Sequence, residues 1–212
     1  MFFVGLDLGK AQNHTALSVI ERREMVSCDR DPVTQAFRTE LTMRIRHLQR
    51  IPLDTPYPDI VEFVRRVVSR PELGGSGGRR TSLVVDASGV GSPVVDLLRK
   101  ARLPCLLAPV TITSGDRETS DAPGYGVPKR DLIVGLQVAF ENRWLRVSRA
   151  AAHAEEFVKE LLDMRLFVSR FGGYERYEGG VQDDLVLATA LAWWKLRRSW
   201  PEMPAGGGGV EG

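Results

Sequence analysis

The stretch MFFVGLDLGK (residues 1–10) opens with an apolar run, reaches Asp7, adds Leu8 and breaks at Gly9. A nearly continuous apolar run is typical of a central β-strand that is covered on both faces. A carboxylate at the end of such a strand either accepts a hydrogen bond in the following turn or belongs to a functional site. The functional interpretation requires partner residues elsewhere in the sequence.

The elements that follow this strand favour an α/β fold. TALSVIE (residues 15–21) predicts the second strand of a hairpin, and LTMRIRH (residues 41–47) alternates apolar and polar residues as a further strand. Strand and helix then alternate, which indicates parallel pairing. We expect further strands at residues 81–86, 103–110, 143–147 and 165–171, and helices at residues 55–70, 93–101, 127–142, 148–164 and 183–198. The long polar stretch at residues 111–126 is predicted to be a loop.

The composition of the 212-residue chain, with 43% hydrophobic and 26% charged residues, is that of an ordinary soluble protein. We expect one domain over residues 1–200 and a flexible glycine-rich tail over residues 201–212. No apolar run approaches the roughly 18 residues of a membrane span, and the N-terminus has no signal-peptide features. We therefore expect a cytoplasmic protein that does not contact a membrane.

Further carboxylates stand at the junctions of predicted elements. Asp86 ends the strand TSLVVD, and Asp183 with Asp184 begins the last long helix. If the strands that end at Asp7 and Asp86 are parallel neighbours, both carboxylates lie at the sheet edge where α/β sheets bind ligands. Asp86 alone would suit a turn, and Asp183 alone would suit a helix cap, but capping does not explain Asp184.

Clustered carboxylates repel one another unless cations neutralise them. Oxygen ligands of this kind suit Mg²⁺ or Mn²⁺. Two such ions, about 3.5 to 4 Å apart, can activate a water and stabilise the leaving oxygen of a phosphodiester. The carboxylates therefore predict a metal site with phosphodiesterase chemistry.

Four motifs carry a resemblance to a known family: VGLDLG, LVVDASGVGSPVVDLL, VPKRDLIVGLQ and GGVQDDLVLATALAWW. Together, in this order, they resemble the nuclease domain of phage terminase large subunits, a branch of the RNase H-like (RuvC-like) superfamily. The resemblance spans residues 2 to about 194. It implies an RNase H-like mixed β-sheet flanked by α-helices, and a metal-dependent endonuclease that cleaves duplex DNA during genome packaging.

Carried over residue by residue, the resemblance implies that Asp7, Asp86 and one or both of Asp183 and Asp184 are catalytic and hold two Mg²⁺ or Mn²⁺ ions. Which member of the Asp183 and Asp184 pair binds metal stays open. Implied partners are duplex DNA, a separate packaging ATPase, and portal or small terminase components. The glycine-rich GGSGGRR (residues 74–80) lacks the lysine and hydroxyl of a nucleotide-binding loop. We therefore expect either an excised domain or a separately encoded nuclease.

Basic residues suggest where DNA would bind, although the formal net charge is only +2. Arg44 and Arg46 occupy one face of a predicted strand, Arg79 and Arg80 close the glycine-rich loop, and a further basic pair begins the helix after residue 128, namely Lys129 and Arg130. We predict contacts with DNA phosphates at these residues. The alternative for each is a solvated surface.

Other functions are compatible with parts of the sequence. A RuvC-type junction resolvase would share the acidic cluster and act on branched DNA. An actin-like or sugar-kinase ATPase fragment would share the first hairpin, VGLDLGKAQNHTALSVI (residues 4–20), but would require a second phosphate-binding motif. A noncatalytic DNA-binding domain would keep the fold without the chemistry. Cleavage of branched DNA, nucleotide binding and inactivity in Mn²⁺ distinguish the three.

Overall fold

The computed structural model describes residues 1–9, 13–74, 81–89, 91–121, 124–149, 151–168, 175–178 and 182–200. The strands are β1 (Phe2–Asp7), β2 (Thr15–Arg30), β3 (Phe37–Ile51), β4 (Thr81–Asp86), β5 (Leu106–Thr113), β6 (Thr119–Asp121), β7 (Gly124–Pro128), β8 (Leu145–Val147), β9 (Arg165–Val168) and β10 (Glu175–Glu178). The helices are α1 (Tyr57–Val68), α2 (Pro71–Gly74), α3 (Gly91–Lys100), α4 (Lys129–Glu141), α5 (Ala154–Asp163) and α6 (Asp184–Arg198). The glycine-rich tail and the pair Arg79 and Arg80 lie outside the described residues.

Eight of these strands form one mixed sheet in the order β6-β7-β5-β4-β1-β2-β3-β8. Strand β1 pairs antiparallel with β2 on one side and parallel with β4 on the other. The parallel pairing continues through β5 to β7. Strands β9 and β10 form a separate antiparallel pair. This topology confirms the predicted α/β class and the predicted parallel pairing of the strands that end at Asp7 and Asp86.

Helices cover both faces of the sheet. Helices α4, α5 and α6 pack on one face around Phe3, Phe157 and Trp193, and helices α1 and α3 pack on the other around Val4 and Leu6. Neighbouring residues of β1 thus enter opposite cores, because successive side chains of a strand point to opposite faces. Burial on both faces explains why β1 is apolar from Phe2 to Leu6. No helix within the described residues is long and apolar enough to cross a membrane.

The structure corrects several predicted elements. Residues 111–126 do not form one loop, because β5 runs to Thr113 and β6 and most of β7 extend the sheet edge in this stretch. A polar edge strand lacks the continuous apolar run by which a central strand is recognised. Helix α5 begins at Ala154 and not at Ser148, since His153 adopts a left-handed conformation with a φ of 58°. Strand β10 was not predicted.

Helix α6 lies directly on β1 at Gly5. A Cβ atom built on Gly5 would overlap the carbonyl oxygen of Ala188 in α6, and it would also come within 3.0 Å of the Ala192 nitrogen. Only glycine allows the helix backbone to approach the strand this closely. This contact sets the position of α6 relative to β1, and with it the position of the acidic pair that begins the helix.

We predict that Gly5→Ala lowers the free energy of unfolding by about 3 kcal/mol or more, because the added methyl group overpacks a backbone contact that cannot relax without moving α6. Thermal and urea denaturation measure the change. The matched control is Gly115→Ala, since a Cβ at Gly115 would meet nothing closer than the Thr113 hydroxyl oxygen at 3.8 Å. Equal stability of the two variants would contradict the proposed packing role of Gly5.

Candidate metal centre

The sheet brings the predicted carboxylates to one edge. Leu6 of β1 is in register with Val85 of β4, so the next residues along the parallel strands, Asp7 and Asp86, lie side by side. Helix α6 packs on β1 and brings its first residues to the same edge. A cavity of about 600 Å³ opens there, lined by Asp7, Leu8, Gly9, Asn13, His14, Asp86, Ser88, Ile112, Lys129, Gln182, Asp183, Asp184 and Leu187.

Asp7 is a buried carboxylate with negatively charged neighbours. Its residue is only 8% exposed, and burial raises the pKa of Asp7 well above the ordinary value of 3.8. Negative charges on three neighbours raise this pKa further, in the order Asp86, Asp183 and Asp184, whereas Lys129 lowers it. The cavity therefore has an excess of negative charge around Asp7, which is the condition that favours a bound cation.

Asp183 faces into the cavity toward a lysine. The Nζ of Lys129, the first residue of α4, donates to Oδ2 of Asp183 at 2.7 Å. The sequence predicted a DNA phosphate contact for Lys129, but the structure places its ammonium group against the acidic cluster. Nothing in the sequence signals this pairing, because the two residues are 54 positions apart.

Asp184 has different surroundings from its neighbour. It is 4% exposed and accepts two hydrogen bonds from Arg50 of β3, from Nε to Oδ2 at 2.9 Å and from an Nη to Oδ1 at 3.3 Å. Both carboxylate oxygens of Asp184 are thus engaged by one guanidinium. The structure separates two residues that the sequence could not distinguish: Asp183 lies against Lys129 in the cavity, and Asp184 is held by the half-buried guanidinium of Arg50.

The Asp86 side chain stabilises the turn after β4 and also lines the cavity. Its Oδ1 accepts a hydrogen bond from the Ser88 amide at 2.8 Å, which is the local turn contact typical of aspartate. The Ser88 hydroxyl in turn accepts from the Ile112 amide of β5 at 2.8 Å. A Cβ at Gly91 would overlap the Asp86 carbonyl oxygen, so this turn also requires glycine where α3 begins. The turn holds the Asp86 side chain at the edge of the sheet.

Glu160 of α5 was missed by sequence reasoning. It is 5% exposed, its Oε1 accepts from an Nη of Arg50, and its Oε2 accepts from the amides of Leu185 and Val186 at 3.0 and 3.2 Å. Burial, followed by the charge of Asp184, raises the pKa of Glu160 to about 7. A glutamate within an amphipathic helix gives no sequence signal of such a contact.

The donor chemistry of the cavity fits a hard divalent cation. Its acidic residues offer carboxylate oxygens, which Mg²⁺ and Mn²⁺ prefer, and Asp7 is surrounded by other negative charges. Among the described residues, no group of three or more Asp, Glu, His or Cys side chains is arranged so that it could hold a metal ion without movement. Two of the four carboxylates instead face Lys129 and Arg50.

The predicted DNA-binding arginines lie elsewhere. Arg44 of β3 is in register with Glu21 of β2, which is in register with Phe2 at the start of β1. Arg44 is therefore level with the opposite end of β1 from Asp7, about 17 Å away along the strand at about 3.4 Å per residue. Arg46 lies between Ile45 and His47 and is level with Phe3 and Val4, nearer the middle of β1. Arg46 also pairs with Glu21 at 3.5 Å. Arg130 follows Lys129 but lies 3.5 Å from Asp131 and 3.8 Å from Asp116.

Comparison with known proteins identifies the fold. No family model matches the sequence, and no curated protein is similar to it in sequence. Among solved structures, the large terminase nuclease domain of bacteriophage SPP1 with bound Mn has a TM-score of 0.52 at 12% identity, over 92% of this chain and 85% of that one. The human cytomegalovirus terminase nuclease domain has a TM-score of 0.53 at 14% identity, over 91% and 82% of the two chains.

A Mn-soaked form of the cytomegalovirus domain has a TM-score of 0.51 at 13% identity, over 91% of this chain and 83% of that one. The chain therefore has the RNase H-like fold of terminase large-subunit nuclease domains. This confirms the fold that the four sequence motifs imply.

We predict that Asp7→Asn stabilises the metal-free protein at pH 8. Because the pKa of folded Asp7 is raised above 3.8, the native state keeps its proton to higher pH than the unfolded chain, so wild-type stability is lost as the pH rises above that value. The asparagine side chain does not ionise, so the variant does not lose stability in this way. The difference in melting temperature between variant and wild type should be larger at pH 8 than at pH 4, in the presence of EDTA.

The control for this pH series is Asp96→Asn, whose side chain on α3 is 61% exposed. It should shift the melting temperature little at either pH. A variant Asp7→Asn that is less stable than wild type at pH 8 would show that the Asp7 carboxylate does not carry uncompensated repulsion.

Proposed function

We propose that this chain is a divalent-metal-dependent endonuclease that cleaves duplex DNA, in the manner of a terminase large-subunit nuclease. The observation that carries this proposal is the convergence of four carboxylates on one cavity, at the carboxyl ends of two parallel strands. The fold shared with nuclease domains that bind Mn supports it. Catalysis of phosphodiester hydrolysis is the chemistry for which such a cluster is suited.

Asp7, Asp86 and Asp183 are the residues that would hold Mg²⁺ or Mn²⁺, in a site for two ions. Asp7 would be central to this set, since the charges of Asp86, Asp183 and Asp184 all raise its pKa. When bound, the ions would activate a water and neutralise charge on the scissile phosphate. Asp184 differs from the other three because Arg50 engages both of its oxygens; its role is to hold the start of α6.

Lys129 has a role that changes with occupancy of the site. Its ammonium group offsets the charge of Asp183 at 2.7 Å, so cation binding to Asp183 competes with this ion pair. Once released, Lys129 remains at the cavity and can donate to a phosphate oxygen, because it begins a helix that is anchored in the core. The predicted contact of Lys129 with DNA is thus proposed at the scissile phosphate.

Duplex DNA is the proposed partner, and a packaging ATPase with portal or small terminase components is the assembly in which such a nuclease would work. We place this activity in the cytoplasm, which would be the host cytoplasm for a phage-encoded protein. Residues 1–200 would form the nuclease domain. Arg44 and Arg46 would contact DNA away from the cleaved bond, since Arg44 is level with the opposite end of β1 from Asp7 and Arg46 is level with Phe3 and Val4.

We predict that Asp7→Asn, Asp86→Asn and Asp183→Asn each reduce plasmid nicking in Mg²⁺ or Mn²⁺ by about 100-fold or more. The reason is that the metal supplies several kcal/mol of transition-state stabilisation and each 1.36 kcal/mol is about tenfold in rate. Asp96→Asn, on the surface of α3, is the matched control and should nick like wild type. Wild-type nicking by Asp7→Asn or Asp86→Asn would overturn the assignment.

In the same series, Asp184→Asn distinguishes an effect on protein stability from an effect on metal binding. It should retain Mn²⁺ binding, measured by isothermal titration, but lower the free energy of unfolding by about 2 kcal/mol, because the amide weakens the charged hydrogen bonds from Arg50 and leaves Glu160 as the anionic partner of this half-buried guanidinium. Asp183→Asn should show the reverse pattern. If Asp184→Asn abolishes Mn²⁺ binding while Asp183→Asn does not, the two roles are exchanged.

Preferential cleavage of branched over linear DNA by the wild-type protein would favour a junction resolvase over a terminase-type nuclease.

We predict that the double variant Arg44→Gln/Arg46→Gln weakens binding to a labelled DNA duplex and makes it less dependent on salt. Each lost phosphate contact reduces the slope of log affinity against log salt by about 0.9. Fluorescence anisotropy over a range of NaCl concentrations measures the slope. Arg99→Gln on α3 is the control, and an unchanged slope in the double variant would exclude Arg44 and Arg46 from the DNA-binding surface.

A further inference from the structure

The N-terminus of α6 is capped by a residue from another helix. Asp183 occupies the N-cap position, and an aspartate there normally accepts hydrogen bonds from the second or third amide of its own helix. Those amides belong to Leu185 and Val186, and both donate to Oε2 of Glu160 in α5. Asp183 makes no side-chain capping hydrogen bond. Its carboxylate is directed to Lys129 at the cavity instead.

Glu160 is itself fixed from two sides. Its Oε2 holds the two α6 amides, and its Oε1 accepts from Arg50 of β3, which also holds Asp184. The carboxylate is buried, with 5% of the residue exposed, and both of its oxygens are engaged. The cluster of Arg50, Glu160 and Asp184 therefore ties α5, β3 and α6 together immediately behind the cavity.

The cap that Glu160 provides affects the direction of the Asp183 side chain. A helix N-terminus attracts a carboxylate through its unpaired amides and its dipole. Without Glu160, the nearest carboxylate that could reach the amides of Leu185 and Val186 is that of Asp183, which stands at the position from which capping normally occurs. Capping would turn this side chain away from the cavity. The Asp183 carboxylate cannot accept hydrogen bonds from the α6 amides and point into the cavity at the same time.

We propose that Glu160 is a positioning residue: by capping α6 from α5, it leaves the Asp183 carboxylate directed into the cavity, where a divalent cation would bind. The cation part of this inference rests on the proposed function. The capping part does not, because it concerns the direction of the Asp183 side chain in the metal-free protein.

The test compares Glu160→Ala with Glu160→Gln. Glu160→Ala removes the cap, so Asp183 should turn onto the amides of Leu185 and Val186, and Mn²⁺ affinity should fall by about 10- to 100-fold, as for loss of other residues that orient metal ligands. Glu160→Gln keeps a carbonyl oxygen that can accept from both amides, so Mn²⁺ affinity should stay near that of wild type. A role limited to the charge pair with Arg50 would instead affect both variants alike.

Two measurements are made on each variant: Mn²⁺ affinity by titration calorimetry without DNA, and the position of Asp183 in a crystal structure without metal. The control is Glu155→Ala, an exposed position on the same helix. Adding Asp183→Ala should lower affinity in wild type but cause no further loss in the Glu160→Ala background. If Glu160→Ala does not fold, Glu160→Asp, one methylene shorter, provides both measurements.

The outcomes are distinct. Wild-type Mn²⁺ affinity in folded Glu160→Ala, or an Asp183 carboxylate that still faces Lys129 in that variant, would overturn the positioning role. Absence of Mn²⁺ binding by wild type would overturn the proposed function, and the metal-free structure of Glu160→Ala would then still decide whether Glu160 directs Asp183. An Asp183 side chain turned onto the α6 amides in that structure supports the proposal.

Discussion

Carboxylates at the carboxyl ends of β1 and β4 repel one another, and the contacts around the cavity offset this repulsion. Asp7 and Asp86 are brought together by the parallel pairing of their strands, and α6 adds two more acids to the same edge. Such a cluster destabilises a fold unless cations offset it. The chain supplies two of its own, Lys129 from α4 and Arg50 from β3, each paired with one member of the acidic pair. Negative charge around Asp7 still exceeds positive charge, as the raised pKa of Asp7 indicates.

The neighbouring residues Asp183 and Asp184 divide two tasks that a single aspartate could not perform. Asp184 is the first residue of α6 and joins a cluster with the half-buried Arg50 and the buried Glu160, which fixes the end of the helix. Asp183 precedes the helix and stays at the cavity. The close contact of Gly5 with Ala188 holds the same helix against β1. The direction of one carboxylate therefore depends on packing contacts made by three other elements.

The sequence predicted the framework of the site because its signals are local. An apolar run ended by a carboxylate marks β1 and β4, and an acidic pair before an apolar stretch marks α6. The partners of these acids were not predictable, since Arg50 and Asp184 are 134 positions apart and their pairing follows from the three-dimensional path of the chain. Neither Arg50 nor Glu160 has a local sequence pattern that indicates this contact. Strands β6 and β7 also escaped prediction, because β6 lies at the sheet edge and neither strand has a continuous apolar run.

An anomalous difference map from a crystal soaked in Mn²⁺ would show whether the carboxylate cluster binds a cation without using Asp184. We expect anomalous density in the cavity, within coordination distance of Asp7, Asp86 and Asp183, with Lys129 displaced from Asp183 and Arg50 still bonded to both oxygens of Asp184. Absence of anomalous density in the cavity of a fully soaked crystal would contradict the claim. So would Mn²⁺ bound to an Asp184 that has left Arg50.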